Sequence, residues 1–456
     1  MKMKKVLALA LTAVMSVSML AGCGGNTGST GGSTGSGDSG SASSGGVQEV
    51  TFMVWDDLEA SEDLISLGYK DSIDRFNKDY EGKYHAKVIS TNLEEYYTKL
   101  NAEIAAGNCP DVFIVSPGAN LNDYVLKDKT DKPIAQKMDD YLAADGWKDT
   151  FTSDAVFAGG TYGDEATQGA GIYAIPLNIA AACVFYNTEM FENAGAKVPT
   201  TYSELLDACQ KLKDSGVTPI TISAGTAWCL SMVAGYLCDR NGLVLSDIKD
   251  HKTDWKDAKV INAAKQIQEL SQYFQPTAES DDNDVATAAF YDGEAAILIQ
   301  GSWAIGQING SCEPGFEQKV GVFAFPAVDG SSADPNRVIA KSDSIAMSAT
   351  SKNPEAAVAL MKYFVDDTAQ KYTAEKGGKI PVTNVKYDET IAPPELSYVM
   401  DVFKNASATF GFYNESLVDS EAGSTFDSCF VEIFKGTDPE EALNPIQEYY
   451  ESNVWK

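Results

Sequence analysis

The chain is predicted to be an α/β protein of two lobes, on three observations. Its 456 residues exceed what one hydrophobic core ordinarily organises. Between residues 50 and 115, short apolar runs alternate with helical periods, the pattern of βαβ units around a mostly parallel sheet. The third observation is the stretch 171–202, GIYAIPLNIAAACVFYNTEMFENAGAKVPTTY. It sets two apolar strand-like runs around Pro176-Leu177-Asn178 with almost no turn, then changes to helical period at Thr188 and Thr201. Strands joined in this way suit a chain passing from one sheet into another, and a crossover between lobes is where a cleft lies.

Composition narrows the class. Apolar residues make up 44% of the chain, enough for globular cores over most of its length. The formal charge is −30, and losing Lys2, Lys4 and Lys5 with a leader leaves 32 basic against 65 acidic residues, −33. Such a surface repels phosphate backbones and argues against nucleic acid as a partner. Beyond that, it is the surface of a well-solvated secreted protein. The cysteines, Cys23, Cys109, Cys183, Cys209, Cys229, Cys238, Cys312 and Cys429, contain no CxxC pair. With Cys23 committed to export, an odd number remains, so buried free thiols fit better than a disulfide framework or a zinc site. His85 and His251 are far apart, and neither has metal-ligand spacing. Residues 281–292 fail as a calcium loop because Val285 and Ala286 stand where an oxygen ligand and a glycine are needed. No GxxxxGK[ST] phosphate loop occurs either, and no metal or cofactor is expected.

The chain opens with a signal. Lys2, Lys4 and Lys5 precede an apolar run over 6–20 that is too short for a comfortable membrane span, so residues 1–22 are expected to be a signal peptide. Leu20-Ala21-Gly22-Cys23 resembles a bacterial lipobox, in which Cys23 is lipid-modified and anchors the protein to the cell membrane. Residues 23–46 then form a Gly/Ser linker, with a reach of ~25 to 30 Å over about 23 residues. Its GxSxG at 31–35 has no strand before it and no helix after it, and is a chance match to the hydrolase elbow.

In the body, 50–55 (VTFMVW) reads as a strand, 62–80 as a helix, 86–90 as a strand, 93–106 as a helix ending at Gly107, and 111–115 (DVFIV) as a strand. Ligands of such sheets sit beyond the carboxyl ends of strands, which directs attention to 55–57 and 116–120. After the crossover, 202–215 is helical, 219–223 a strand, 227–237 an apolar helix with Trp228 near its start, and 256–274 an amphipathic helix. The segment 288–305 reads as a helix end, a turn at Asp292-Gly293, a buried strand and Gly301-Ser302-Trp303 at the strand's carboxyl end. Strands at 320–325 and 344–347 follow, then helices at 354–365, 396–406, 425–434 and 439–450.

Assembled in order, these pieces resemble the extracellular solute-binding proteins of bacterial ABC transporters, specifically the carbohydrate-binding family related to maltodextrin-binding proteins. The resemblance runs through nearly all of 47–456. It is carried by Gly107-Asn108-Cys109-Pro110-Asp111-Val112, Tyr173-Ala174-Ile175-Pro176 with Tyr186-Asn187 and Pro199-Thr200-Thr201-Tyr202, Gly293-Glu294-Ala295-Ala296 with Gly301-Ser302-Trp303, and Ser351-Lys352-Asn353-Pro354-Glu355-Ala356-Ala357. It implies a two-lobe, periplasmic-binding-protein-like (type II) fold with discontinuous lobes and hinge strands. On that pattern lobe one is 47–178 with 345–393, and lobe two is 182–342 with 394–456. The hinges are the stretch 171–202 and residues 340–347. The resemblance further implies a monomeric receptor that closes on a carbohydrate and presents it to an ABC permease.

A sugar offers C–H faces to aromatic rings and hydroxyls to planar polar groups. Trp303 matches the family's Gly-x-Trp stacking position. Trp55 and Trp228, at a strand end and a helix start, serve either as platforms or as packing. Polar candidates are Asp56 and Asp57 after the first strand, Ser116 after the third, Asn178 at the crossover and Asp343 before the second hinge. Tyr413 and Glu415 fall roughly where related proteins bring lobe-two contacts into the cleft. No catalytic residue is singled out. Two other readings stay open: a secreted glycoside hydrolase whose carboxylate pair hides among the acids, and a two-lobe receptor for a polyamine or other cation.

Overall fold

The computed structural model describes residues 46–456; the signal segment, Cys23 and nearly all of the linker lie outside the described residues. Strands β1 (Gln48–Val54), β2 (Tyr84–Ser90) and β3 (Val112–Val115) alternate with the helices Leu64–Asp79 and Leu93–Ala105, and β1 runs parallel to both its neighbours. The first helix begins at Leu64 because the Asp63 carboxylate accepts the amides of Ile65 and Ser66, at 2.8 and 2.9 Å. Asp111 of the Pro-Asp-Val motif is a staple. Its carboxylate accepts the amide and hydroxyl of Thr51 on β1 and the hydroxyl of Ser351.

A small antiparallel ribbon, β4 (Thr161–Tyr162) with β5 (Gly171–Ile172), leads into β6 (Ile175–Pro176), the last strand of the first sheet. The chain then crosses through Leu177, Asn178 and Ile179 into β7 (Ala180–Asn187) of a second sheet. There it is joined by β8 (Thr218–Thr221), β9 (Ala295–Gly301), β10 (Val320–Phe323) and β11 (Arg337–Lys341). From β11 it returns through Ser342 and Asp343 to β12 (Ser344–Met347) in the first sheet, and β13 (Ala408–Phe410) later closes an edge of the second. The strand orders are β2-β1-β3-β12-β6 and β13-β11-β7-β9-β8, with β10 beside β7.

The mostly parallel arrangement expected from the alternation holds around β1 and in the pairs β8–β9 and β11–β13, but not elsewhere among the described strands. Strand β12 is antiparallel to β3 and β6, and β7 is antiparallel to β9, β10 and β11. A helical crossover delivers its strand parallel, whereas β12 arrives directly from the other sheet and is free to run the opposite way. The second sheet is covered on both faces. Phe185, Phe290, Leu298 and Ile305 fill one side, while the other packs Val184 and Ile297 beneath Tyr236, Leu230 and Phe426. That is why β7 and β9 are nearly unbroken apolar runs. The first sheet has its own core around Phe52, Phe113 and Phe364.

The two cores meet again away from the crossovers. Lys129 pairs with Asp419, the Ser420 hydroxyl donates to the Asp123 carboxylate, and the Asn122 amide donates to the Val418 carbonyl at 3.4 Å. Gly118, at φ 92°, lies so close to this segment that a Cβ would stand 2.0 Å from the Glu415 carbonyl oxygen. The cysteines among the described residues are free thiols, with Cys183, Cys209, Cys229, Cys238 and Cys429 buried. Burial pushes the Cys209 and Cys429 thiols up to about 12 and about 11. Among the described residues no helix is long and apolar enough to cross a membrane.

Candidate functional site

Trp303 is held by its own motif. Ser302 exchanges bonds with Ala181 on β7, its amide donating to the carbonyl at 3.0 Å and its hydroxyl accepting the Ala181 amide at 3.3 Å. The indole folds back over Gly301, where a Cβ would fall 2.1 Å from the ring, so the glycine is a steric requirement. From there Trp303 meets Trp228 edge-on at 5.7 Å and Phe412 at 5.8 Å, and Trp228 meets Phe412 at 6.1 Å. Three rings from three distant segments thus form a triangle beside the second crossover.

The ammonium of Lys341, at the end of β11, sits against all three rings, 5.1 Å from the centroid of Phe412, 5.6 Å from Trp303 and 5.9 Å from Trp228. It is 3.4 Å from Glu415 and 3.7 Å from Asp343. Asp343 in turn pairs with the buried Lys379 at 2.9 Å. Burial raises the Asp343 carboxyl, but the pull of Lys379 and Lys341, with hydrogen bonds from Lys379 and Asn178, brings it down to about 2. Burial lowers the Lys341 ammonium, but Glu415 and Asp343 outweigh it and hold the group well above the usual lysine value. Asn178, on the first crossover, is 1% exposed, and its carbonyl oxygen has no partner among the protein groups. The Trp303 indole nitrogen is likewise unpartnered.

The remaining candidates divide. Asp56 is half-buried, and burial together with Asp63 pushes its carboxyl up to about 7 against the hydrogen bond of Ser66 and the charge of Lys379. Ser116 is buried, its amide donating to the Tyr97 hydroxyl at 2.9 Å; Tyr97 feels the charges of Glu415 and Lys341 and so borders the same space. Trp55 is half-buried and packs edge-on against Tyr96 at 5.3 Å. Asp57 is exposed, with its carboxylate accepting the amides of Glu59 and Ala60 in a local turn. Tyr413 requires a correction. It is 3% exposed within the core of the second sheet, its hydroxyl donating to the Leu243 carbonyl, and its neighbour Phe412 is the residue that reaches the tryptophans.

The description of bacterial extracellular solute-binding proteins matches this chain over residues 63–371. The chain belongs to that family. The multiple sugar-binding protein of Streptococcus mutans is 24% identical over 355 residues, covering 73% of this chain and 78% of the relative. Among solved structures, a chitin oligosaccharide binding protein superposes with a TM-score of 0.79 at 22% identity, covering 90% of this chain and all of that one. A maltose-bound protein of T. maritima gives 0.71 at 18% identity, with 89% and 100% covered. These likenesses give the solute-binding protein its two-lobe α/β fold.

Several residues near this cluster in the solute-binding protein escape a reading of the sequence. Phe412 lies one position from the expected Tyr413. Asn414 donates to Asp427 at 3.1 Å, yet each keeps one unpartnered oxygen, and burial pushes the Asp427 carboxyl up to about 7 despite hydrogen bonds from Ser231 and Asn414. Thr226, at the start of the helix Ala227–Arg240, donates to exposed Glu94 on the helix Leu93–Ala105 at 3.2 Å. Lys341 did leave a signal: it stands two positions before Asp343 in extended chain, the spacing that puts side chains on one face.

Proposed function

We propose that this solute-binding protein is the extracellular receptor of an ABC importer, taking a neutral sugar or oligosaccharide between its lobes and handing it to a membrane permease. The observation that carries this reading is the triangle of Trp228, Trp303 and Phe412 beside unpartnered polar atoms of Asn178, Trp303 and Asn414. Rings suit the C–H faces of a sugar, and orphaned donors and acceptors suit its hydroxyls. The sugar-binding name of the Streptococcus mutans relative supports the same ligand class. Within this reading Trp303, Trp228, Asn178, Asp343, Glu415, Asp56 and Ser116 face the ligand space. The lobes are 47–178 with 345–393 and 182–342 with 394–456, and a lipid on Cys23 tethers a monomeric body to the outer face of the cell membrane. Binding without turnover is the expected chemistry, since the relatives are binding proteins.

The test is calorimetric titration of the protein with a panel of neutral malto-, xylo-, chito- and galacto-oligosaccharides, followed by chromatography of the recovered sugar. Stoichiometric binding with the sugar returned intact supports the receptor. Shortened products turn the reading toward a glycoside hydrolase, and silence across the panel removes the sugar.

A further inference from the structure

An aromatic cage around an ammonium is ordinarily a device for capturing a cationic ligand. Here the protein supplies the cation itself. The Lys341 ammonium stands 5.1 to 5.9 Å from the centroids of Phe412, Trp303 and Trp228, and Glu415 and Asp343 hold it there at 3.4 and 3.7 Å. An incoming ammonium would have to displace a charge that three rings and two carboxylates already stabilise. The surroundings make such a competitor a real one. A formal charge of −30 concentrates cations at the surface, and Asp63, Asp284 and Glu94 add negative potential around the same space. Discrimination against them calls for an element that repels as well as contacts that attract.

We propose that Lys341 is a specificity-determining residue, which fills the cage of Trp228, Trp303 and Phe412 and shuts organic cations out of the cleft. The lysine offsets the cost of its own burial through Glu415 and Asp343. The inference rests on the sugar reading for what the cleft admits, but what it excludes is measured separately.

The experiment titrates the full chain, purified in detergent, with tetramethylammonium and with spermidine at constant ionic strength, following tryptophan fluorescence and heat. The unmodified chain is expected to show no saturable binding in the millimolar range. Lys341→Gln, which leaves Glu415 without its ammonium, is expected to bind both at least about tenfold more tightly than the unmodified chain. Lys341→Arg, which keeps the charge, is expected to exclude them. Cation binding by the unmodified chain as tight as by the glutamine variant overturns the proposal, as does a folded glutamine variant that gains nothing. A second readout needs no substitution: tetramethylammonium must leave oligosaccharide affinity unchanged in the unmodified chain, and competition between the two overturns the proposal. A chain that binds no oligosaccharide removes the sugar reading while the direct cation titrations still decide this one.

Discussion

Among single residues, the proposed site is tested at Trp303 and Asp343. Replacing Trp303 by alanine removes one side of the ring triangle, and we expect at least about a tenfold loss of oligosaccharide affinity by calorimetry with the far-ultraviolet dichroism unchanged. Unaltered affinity would take Trp303 out of the site. Asp343 offers a pH signature. Its folded value of about 2 lies below the ordinary 3.8, so it contributes stability at neutral pH that is lost as pH falls from near 4 towards 2. Asp343→Asn also strips Lys379 of its carboxylate partner, and is expected to cost about 3 kcal/mol at pH 7. The melting difference from the parent should shrink over that acid window. Asp427 behaves in the opposite sense. Held up at about 7, it favours the folded state only at low pH, and its advantage is lost as pH rises from near 4 through 7. Asp427→Asn should therefore melt higher than the parent at pH 8 and lose that gain by pH 4. A gain of equal size at both ends would mean that the carboxyl ionises normally in the fold.

At the scale of elements, close approach and buried charge set the geometry. Gly301→Ala places a methyl inside the Trp303 ring, so we expect ligand affinity to fall with the tryptophan still present; undiminished binding would show that the ring's pose over Gly301 is dispensable. Strand β11 is fixed to the helix Ala227–Arg240 by Asp239, which pairs with Arg240 at 2.7 Å and Arg337 at 2.8 Å, while Arg240 donates to the Arg337 carbonyl. That lock positions the strand whose last residue is Lys341. Much of this level was legible beforehand. The alternation over residues 50 to 115 carries two clean periods, and the double strand around Leu177-Asn178 did mark a change of sheet. Strand direction was not legible, because β12 and β7 are delivered by crossovers rather than by helices. The site was only partly legible for a related reason. Trp228, Trp303 and Phe412 are brought together by the second sheet, and nothing local says which ring of Phe412-Tyr413 turns toward the others. A lysine ending an apolar strand reads as a solvent-facing residue until the carboxylates around it are placed. The Pro-Asp-Val motif, conspicuous in sequence, serves the joint between β1, β3 and the Ser351 loop.

For the whole molecule, the contacts between the cores at Lys129, Asp123 and Asn122 lie on the same segment, 413–420, that carries Glu415 to Lys341. On the proposed reading, closure and ligand contact are joined through one stretch of chain. Cysteines in place of Asp123 and Ser420, whose side chains touch, are expected to form a bridge that slows ligand exchange when oxidised and restores it on reduction. Exchange at the parental rate with the bridge formed would show that the cores need not separate for ligand to pass. The buried thiols bear on a practical use of the same rim. Cys183, Cys209, Cys229, Cys238 and Cys429 are sheltered and stay protonated near neutrality, so they react slowly with maleimides. On the proposed reading, a dye attached to one new cysteine at Ser420 would report ligand-driven closure as a change in brightness, once half-buried Cys109 and Cys312 are replaced by serine. The fold already has the quiet interior that an optical sensor requires.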